Sequence, residues 1–357
     1  MKYLFILGRN PELSIEEILS YLEKEDIKVI KEEQIGNSLM IEVKDKLRPI
    51  IKNLGGTIAI GEVIGNYKNE NPYMGTKNKI NYCIWNFSQN NSYNKISQSL
   101  KQIFRKEKLK AIEKPLTGKL ELQDGKIIKI SHGILNEEYF VTNNEFGRII
   151  EKTDSKALEL RDMDKPERRQ ELAISPRLCK IIINLSKVRK NQILLDCFCG
   201  VGSILTEALL QGIRVIGVDN DEEAIEDAKK NLDWLNLKGY TLIKNDSRKI
   251  KIHHANVIVA EPNLGEILRR SPNPEKANRI LINYERLMRE TLKNLKSHID
   301  SKIVFTGPYI KLFSKKRIGC NIDNLLENTN LKLIKRFQEF RKDHIIGREI
   351  FVLDKAN

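Results

Sequence analysis

Leu194-Leu195-Asp196-Cys197-Phe198-Cys199-Gly200-Val201-Gly202-Ser203-Ile204-Leu205-Thr206-Glu207-Ala208 constrains this chain more than any other stretch. A buried strand runs into an acid, then a tight glycine loop, then a helix. Gly200 and Gly202 let the backbone come close to a ligand where a Cβ would clash. The helix from Ser203 opens with free amides. Val215-Ile216-Gly217-Val218-Asp219 repeats the logic, an apolar strand with an acid at its carboxyl end. Such a pair marks a nucleoside ligand lying across the carboxyl edge of a parallel sheet.

The loop also says which ligand. Its spacing is G-x-G-S, without the third glycine of G-x-G-x-x-G. Asp196 would repel a phosphate and suits a cationic or hydroxyl-bearing ligand such as S-adenosylmethionine. In this scheme Asp196, Phe198, Gly200, Gly202 and Ser203 form the cradle. Asp219 can accept both ribose hydroxyls, or it can cap the helix that starts near Asp221. Asp246, at the end of the following strand, can accept from an adenine amino group or simply close a turn. A third strand end, Ala260-Glu261-Pro262-Asn263-Leu264, carries the acceptor chemistry.

Strands alternate with helices from Gln192 onward: 192–196, 203–211, 214–218 and 221–236, then strands at 240–243 and 257–260. A long helix over about Pro274–Leu295 follows, then a strand at 302–306. Leu331–Phe337 and Arg348–Leu353 read as a closing antiparallel hairpin. This pattern predicts an α/β fold with a mostly parallel sheet covered on both faces. Residues 1–150 read differently, as a small α+β region. Strands are expected at Tyr3–Leu7, Lys28–Ile30, Ser38–Val43, Lys79–Phe87, Gly118–Leu122, Lys126–Gly133 and Tyr139–Thr142. A capping box at Ser14-Ile15-Glu16-Glu17 opens the first helix, and a second runs over Tyr93–Glu107. Residues 151–172 read as a linker with basic clusters at Arg161 and Lys165-Pro166-Glu167-Arg168-Arg169, and 173–357 as the second domain, opened by a Ser175-Pro176 cap.

The 357 residues carry 62 Lys and Arg against 48 Asp and Glu, a net charge of +14. That excess points to a polyanionic partner. Lysines and arginines recur between Lys101 and Lys119, either as a solvated helix face or as an RNA contact. The five cysteines are scattered, which argues for a reducing compartment and against a disulfide framework. With no Cys or His pair at zinc spacing, no metal site is expected. No apolar run approaches a membrane span, so a cytoplasmic location is expected.

These residues resemble class I S-adenosylmethionine-dependent methyltransferases. They are similar above all to the RNA methylase family that carries an N-terminal THUMP module and modifies guanine N2 in tRNA. Asp196-Cys197-Phe198-Cys199-Gly200-Val201-Gly202-Ser203 is close to that family's D-P-F-C-G-T-G. Tyr3–Ser14, Leu160-Arg161-Asp162, Lys165–Arg169 and Gly347–Leu353 extend the likeness over most of the chain. The resemblance implies a Rossmann-like, seven-stranded sheet with an antiparallel C-terminal hairpin. It also implies a ferredoxin-like and THUMP-type RNA-binding region before it, with tRNA or another structured RNA as partner. A small activating subunit stays open.

At one motif the chain departs from the family it resembles. Amino methyltransferases of this kind carry (N/D)-P-P-(Y/F), where the acid or amide and a backbone carbonyl accept from the target amine and the aromatic stacks on the extruded base. This chain has Glu261-Pro262-Asn263-Leu264. Glu261 keeps an acceptor on a longer arm and Pro262 keeps the turn. Asn263 replaces the second proline, and Leu264 offers no ring. Tyr309 after the next strand is a candidate ring. Three functions follow: a tRNA methyltransferase acting on an exocyclic amine, most simply guanine N2; a silent RNA- and cofactor-binding paralogue; or a DNA amino methylase.

Overall fold

The computed structural model describes residues 1–65, 71–131, 135–169 and 174–356, and divides them into two compact units. The first comprises Met1–Ile15, Asp26–Lys52 and Gly56–Asp154, and the second Glu16–Glu25, Asn53–Gly55 and Ser155–Asn357. His132 and Gly133 of the expected strand 126–133, and the linker boundary at 170–173, lie outside the described residues.

In the first unit the strands are β1 (Lys2–Leu7), β2 (Val29–Ile35), β3 (Ser38–Val43), β4 (Thr57–Val63), β5 (Lys79–Asn86), β6 (Lys110–Glu113), β7 (Gly118–Glu121), β8 (Ile127–Ile130), β9 (Glu137–Val141) and β10 (Phe146–Lys152). Eight form one sheet in the order β2-β3-β1-β4-β10-β9-β5-β6, and β7 pairs with β8 apart from it. Helix α1 (Pro11–Lys24) begins here, and Asn10 Oδ1 accepts the Leu13 N–H at 3.3 Å, so the helix starts three residues before the expected Ser14 box. Helix α2 (Ser92–Lys106) turns Ile96, Leu100 and Phe104 onto Tyr82, Tyr139 and Phe146 of the sheet. Its spacing of apolar residues every three to four positions produces that face.

The second unit is the α/β half. Its helices are α3 (Ser155–Met163), α4 (Pro176–Leu185), α5 (Ser203–Leu210), α6 (Glu222–Trp234), α7 (Pro274–Leu295) and α8 (Ile322–Leu326). Its strands are β11 (Ile193–Asp196), β12 (Arg214–Asp219), β13 (Tyr240–Lys244), β14 (Val257–Ala260), β15 (Ile303–Lys311), β16 (Arg317–Ile318), β17 (Leu331–Glu339) and β18 (Ile346–Lys355). The sheet order is β13-β12-β11-β14-β15-β18-β17, with the short β16 added to β15. Strands β11 to β15 pair in parallel, and β18 pairs antiparallel with both β15 and β17. That is the class I methyltransferase fold. Its strand order reverses between β11 and β14, and a parallel sheet takes its ligands at such a point.

Successive strand residues face opposite sides. A Cβ on Gly217 would meet Leu205 of α5, whereas Val218 joins the core under α7, so these helices cover opposite faces. Ser175 caps α4 from the Leu178 N–H, with Pro176 in the first turn. Within the stretch read as linker, the structure builds α3 and buries Leu158.

Candidate functional site

Asp196 ends β11, and Asp219 ends the neighbouring β12. Between them the chain folds back as a knot of short bonds. Cys199 N–H donates to Val218 O at 2.9 Å, Gly200 N–H to Asp219 Oδ2 at 2.9 Å, and Gly202 N–H to Cys199 O at 2.8 Å. Gly200 has φ +48° and Gly202 has φ +81°, the left-handed region where glycine carries no Cβ penalty. Gly202 caps α5, and its carbonyl accepts from both the amide and the hydroxyl of Thr206, each at 2.9 Å.

Asp196 is 1% exposed. Its Oδ1 accepts the Phe198 N–H at 3.1 Å, while Oδ2 is buried without a partner. Burial holds its carboxyl well above the usual carboxylate range, and the neighbouring Asp219 and Glu261 push the same way. An orphaned buried acceptor beside Gly200, where a Cβ would meet nothing within 4 Å, fits a cation or a hydrogen-bond donor, while Gly202 packs against Ala228 of α6. Such an acceptor does not fit a phosphate. Asp219 spends one site of each oxygen on the loop, Oδ1 on Asp221 N–H at 3.1 Å and Oδ2 on Gly200. Each oxygen keeps a further acceptor site, as two ribose hydroxyls require. Asp221, not Asp219, caps α6. These groups fit S-adenosylmethionine.

Asp246 lies between Asn245, whose N–H donates to Asp219 O at 2.9 Å, and Ser247. Arg248 chelates Asp246 with Nε at 3.0 Å and Nη2 at 2.7 Å, and holds its carboxyl below the usual range. The adjacent Ser247 is 4% exposed and donates to Cys197 O, tying the β13 end to the loop. Asn231 of α6 donates to Val201 O at 2.9 Å and Glu167 O at 3.0 Å, and accepts the Glu167 N–H at 3.0 Å. Lys165 Nζ donates to Ser203 Oγ at 2.8 Å, and Arg161 binds Glu207 on the same helix at 2.6 Å. The basic segment 161–169 therefore buttresses the loop. Ser247 and Asn231 carry no motif signal, because their partners are backbone carbonyls rather than a ligand. Cys197 and Cys199 are buried, which drives both thiols far above the range of a reactive thiolate.

Glu261 follows β14. Its Oε2 accepts from Arg348 Nε and Thr306 Oγ1, both at 2.8 Å, and its Oε1 accepts from Arg348 Nη2 at 2.8 Å. Burial opposes the charge on Arg348, but Glu261 outweighs it and lifts the guanidinium above its ordinary value. The antiparallel register Pro308↔Arg348 brings this cation to the β14 end. Pro262 is buried, Asn263 is exposed with Oδ1 accepting the Gly265 N–H at 2.9 Å, and Leu264 packs partly against the core. Tyr309 lies 5.7 Å from the Phe340 ring, with Arg317 near both rings.

Residues 188–316 match a family model described as a methyltransferase domain, and residues 10–230 match one described as DNA methylase. The tRNA (guanine(10)-N2)-dimethyltransferase of Methanothermobacter thermautotrophicus is 34% identical over 128 residues, 36% of this chain and 35% of that protein. Its counterpart in Pyrococcus abyssi is 34% identical over 96 residues, 27% of this chain and 29% of that protein. The chain thus spans about a third of the length of these curated relatives. Among solved structures, TrmN from Thermus thermophilus superposes with a TM-score of 0.53 at 12% identity, over 99% of this chain and 100% of that one. A possible methylase from Clostridium difficile 630 also reaches 0.53, at 14% identity, over 100% and 98%. Both show the fold. The second family model covers well over half of the sequence, and the chain belongs to that DNA methylase family.

Proposed function

We propose that this chain binds S-adenosylmethionine across the β11 and β12 ends and methylates an exocyclic amine, guanine N2, in tRNA. The observation that carries the reading is the buried, unpartnered Oδ2 of Asp196 beside the left-handed Gly200 and Gly202. The name shared by the two archaeal relatives supports tRNA as the substrate and guanine N2 as the atom. The first unit is then the RNA-binding module, of THUMP type, and Asp196, Phe198, Gly200, Gly202, Ser203, Asp219 and Asp246 hold the cofactor. When bound, S-adenosylmethionine supplies an electrophilic methyl on its sulfonium.

The chain's own contribution is placement. A carboxylate offers about four acceptor sites. Three of those on Glu261 are filled by Arg348 and Thr306, and one remains on Oε1. One amine N–H takes that site and the Pro262 carbonyl takes the other, which leaves the nitrogen lone pair to face the methyl. Arg348 and Thr306 fix the Glu261 carboxylate in place. It orients the amine, and the proton shed after transfer leaves to water. Positioning of this kind supplies most of the rate.

The family description favours a second reading, an amino group in duplex DNA. Labelled methyl transfer from S-adenosylmethionine, with unmodified tRNA and duplex DNA in competition, separates the two. Nucleoside mass spectrometry is expected to find the label on guanine N2 of tRNA. Label in DNA adenine overturns the RNA reading, and tight cofactor binding with no transfer to either overturns the enzyme reading.

A further inference from the structure

Strand β15 runs five residues past Thr306, the residue level with Glu261, and so reaches about 16 Å beyond the acceptor site at about 3.3 Å per residue. At its end Leu312–Lys316 closes into a tight turn. Leu312 N–H donates to Lys316 O at 2.7 Å and Lys315 N–H to Leu312 O at 2.9 Å, with Lys315 held at φ +67°. Phe313 N–H donates to Pro272 O at 3.1 Å and so pins the turn to the segment that follows Glu261. The Phe313 ring on this fixed turn is 85% exposed, the highest exposure of any large apolar side chain among the described residues.

The surroundings are cationic. From Tyr309 to Arg317 there are four cations and no acid, and Arg341 and Lys342 follow in the β17–β18 loop with Asp343 the one carboxylate. Among the described residues, none of Lys315, Lys316, Arg341 and Lys342 forms an ion pair. Arg317 joins the two loops through carbonyls rather than carboxylates: Tyr309 O at 3.2 Å, Arg341 O at 3.0 Å and His344 O at 2.7 Å. Lys311 adds a bond to Lys342 O at 3.0 Å. The positive charge of the ridge is therefore not neutralised from within. An exposed ring on a rigid turn, set among unpaired cations, is what a nucleotide strand needs: a face for a base and charge for its phosphates.

We propose that the Leu312–Lys316 turn and the Arg341–His344 loop form an RNA-contact ridge on the second unit, in which Phe313 stacks on an unpaired base flanking the target nucleotide. The choice of RNA rests on the function proposed above. The ridge supplies on a neighbouring loop the aromatic face that Leu264 lacks, for a flanking base rather than for the target itself.

The test is fluorescence anisotropy of the full chain with a labelled, unmodified tRNA transcript across a salt series. Because the ring is exposed, Phe313→Ala leaves the fold intact, and unchanged binding of S-adenosylhomocysteine checks this. Phe313→Ala is expected to weaken RNA binding about 5- to 100-fold, and Phe313→Trp to restore it to within about twofold. The pair Lys315→Ala and Lys316→Ala is expected to lower the slope of log Kd against log salt by about 1 to 2. Wild-type affinity in both the Phe313→Ala and the double-lysine variants overturns the ridge, and so does a wild-type chain that fails to bind the transcript at about 50 mM salt. Binding needs no turnover, so an RNA complex that responds to these changes yet transfers no methyl upholds the ridge while defeating the methyltransferase reading.

Discussion

The Glu261–Arg348 pair is the sharpest place to test the site. Of the about four acceptor sites on Glu261, three are filled by Arg348 and Thr306, and one is left for chemistry. The Glu261 side chain is 8% exposed and that of Arg348 is 24% exposed. Removing one partner of a buried pair costs about 3–5 kcal/mol because the other charge is stranded. Glu261→Gln strands a guanidinium with a quarter of its surface in water, which places that loss near the lower end, about 3 kcal/mol, whereas Arg348→Gln strands the more deeply buried carboxylate and should cost about 4–5 kcal/mol. The double variant strands no charge. Its loss should fall well short of the sum, with a coupling of about 1–3 kcal/mol in a double-mutant cycle by urea denaturation. Methyl transfer separates the two roles. The double variant folds but offers no carboxylate, so its kcat on tRNA should drop about 10²-fold with cofactor affinity unchanged. Additive stability losses would show that the pair does not act as a unit. A stable double variant with wild-type kcat would remove Glu261 from the reaction.

Two further outcomes follow from the same physics. Asn231→Ala leaves the Val201 and Glu167 carbonyls without their donor, which should cost about 2–3 kcal/mol and loosen the glycine loop. Calorimetry should then show cofactor binding weakened about tenfold, and unchanged affinity would sever α6 from the loop. Lys24 is buried against Asn184 Oδ1 and Gln211 Oε1. Burial lowers its pKa to about 8, against the pull of Glu25 and Glu17. Below pH 8 the folded and unfolded chains both carry the proton, and the native state bears the full penalty. Between pH 8 and about 10.4 the unfolded chain holds more protons, so stability rises with pH by up to about 3 kcal/mol relative to Lys24→Met. A difference curve that stays flat from pH 7 to 11 would contradict the burial of that charge.

The glycine loop and its strands were legible because every local signal agreed: apolar run, acid, paired glycines, helix. The Ser175-Pro176 cap and the helix at Pro274–Leu295 were legible for the same reason. Strands β4 and β10 were not, although they pair in the middle of the first sheet. Each carries a glycine that weakens the strand pattern. At Gly61 a Cβ would sit 2.5 Å from the Phe140 ring, and at Gly147 the distance would be 2.3 Å. The glycines answer to a ring from a third strand, which no local window contains. Edge strand β6 alternates between exposed and half-buried positions and has no apolar face to betray it. At the site, Glu261 was visible as a motif residue, but its partner lies 87 residues away and reaches it only through the register of β15 with β18. Arg248 likewise hid in plain sequence beside Asp246, since nothing local says that a neighbouring cation will fold back onto the carboxylate.

The unit that carries the glycine loop is assembled from three separate pieces of chain, beginning with Glu16–Glu25. Within it, Glu17 Oε1 accepts the Gly55 N–H at 2.7 Å and the Asn184 Nδ2 at 2.9 Å, so the early pieces satisfy polar groups that α4 cannot satisfy alone. A ribosome finishes those pieces long before it reaches α4, and they must wait, unsatisfied, for more than a hundred residues of further synthesis. Cleavage after Asp154 would not release a self-sufficient half. Nor could evolution exchange the front of this protein by simple fusion, because the graft would leave the back missing a helix it borrows from its own beginning.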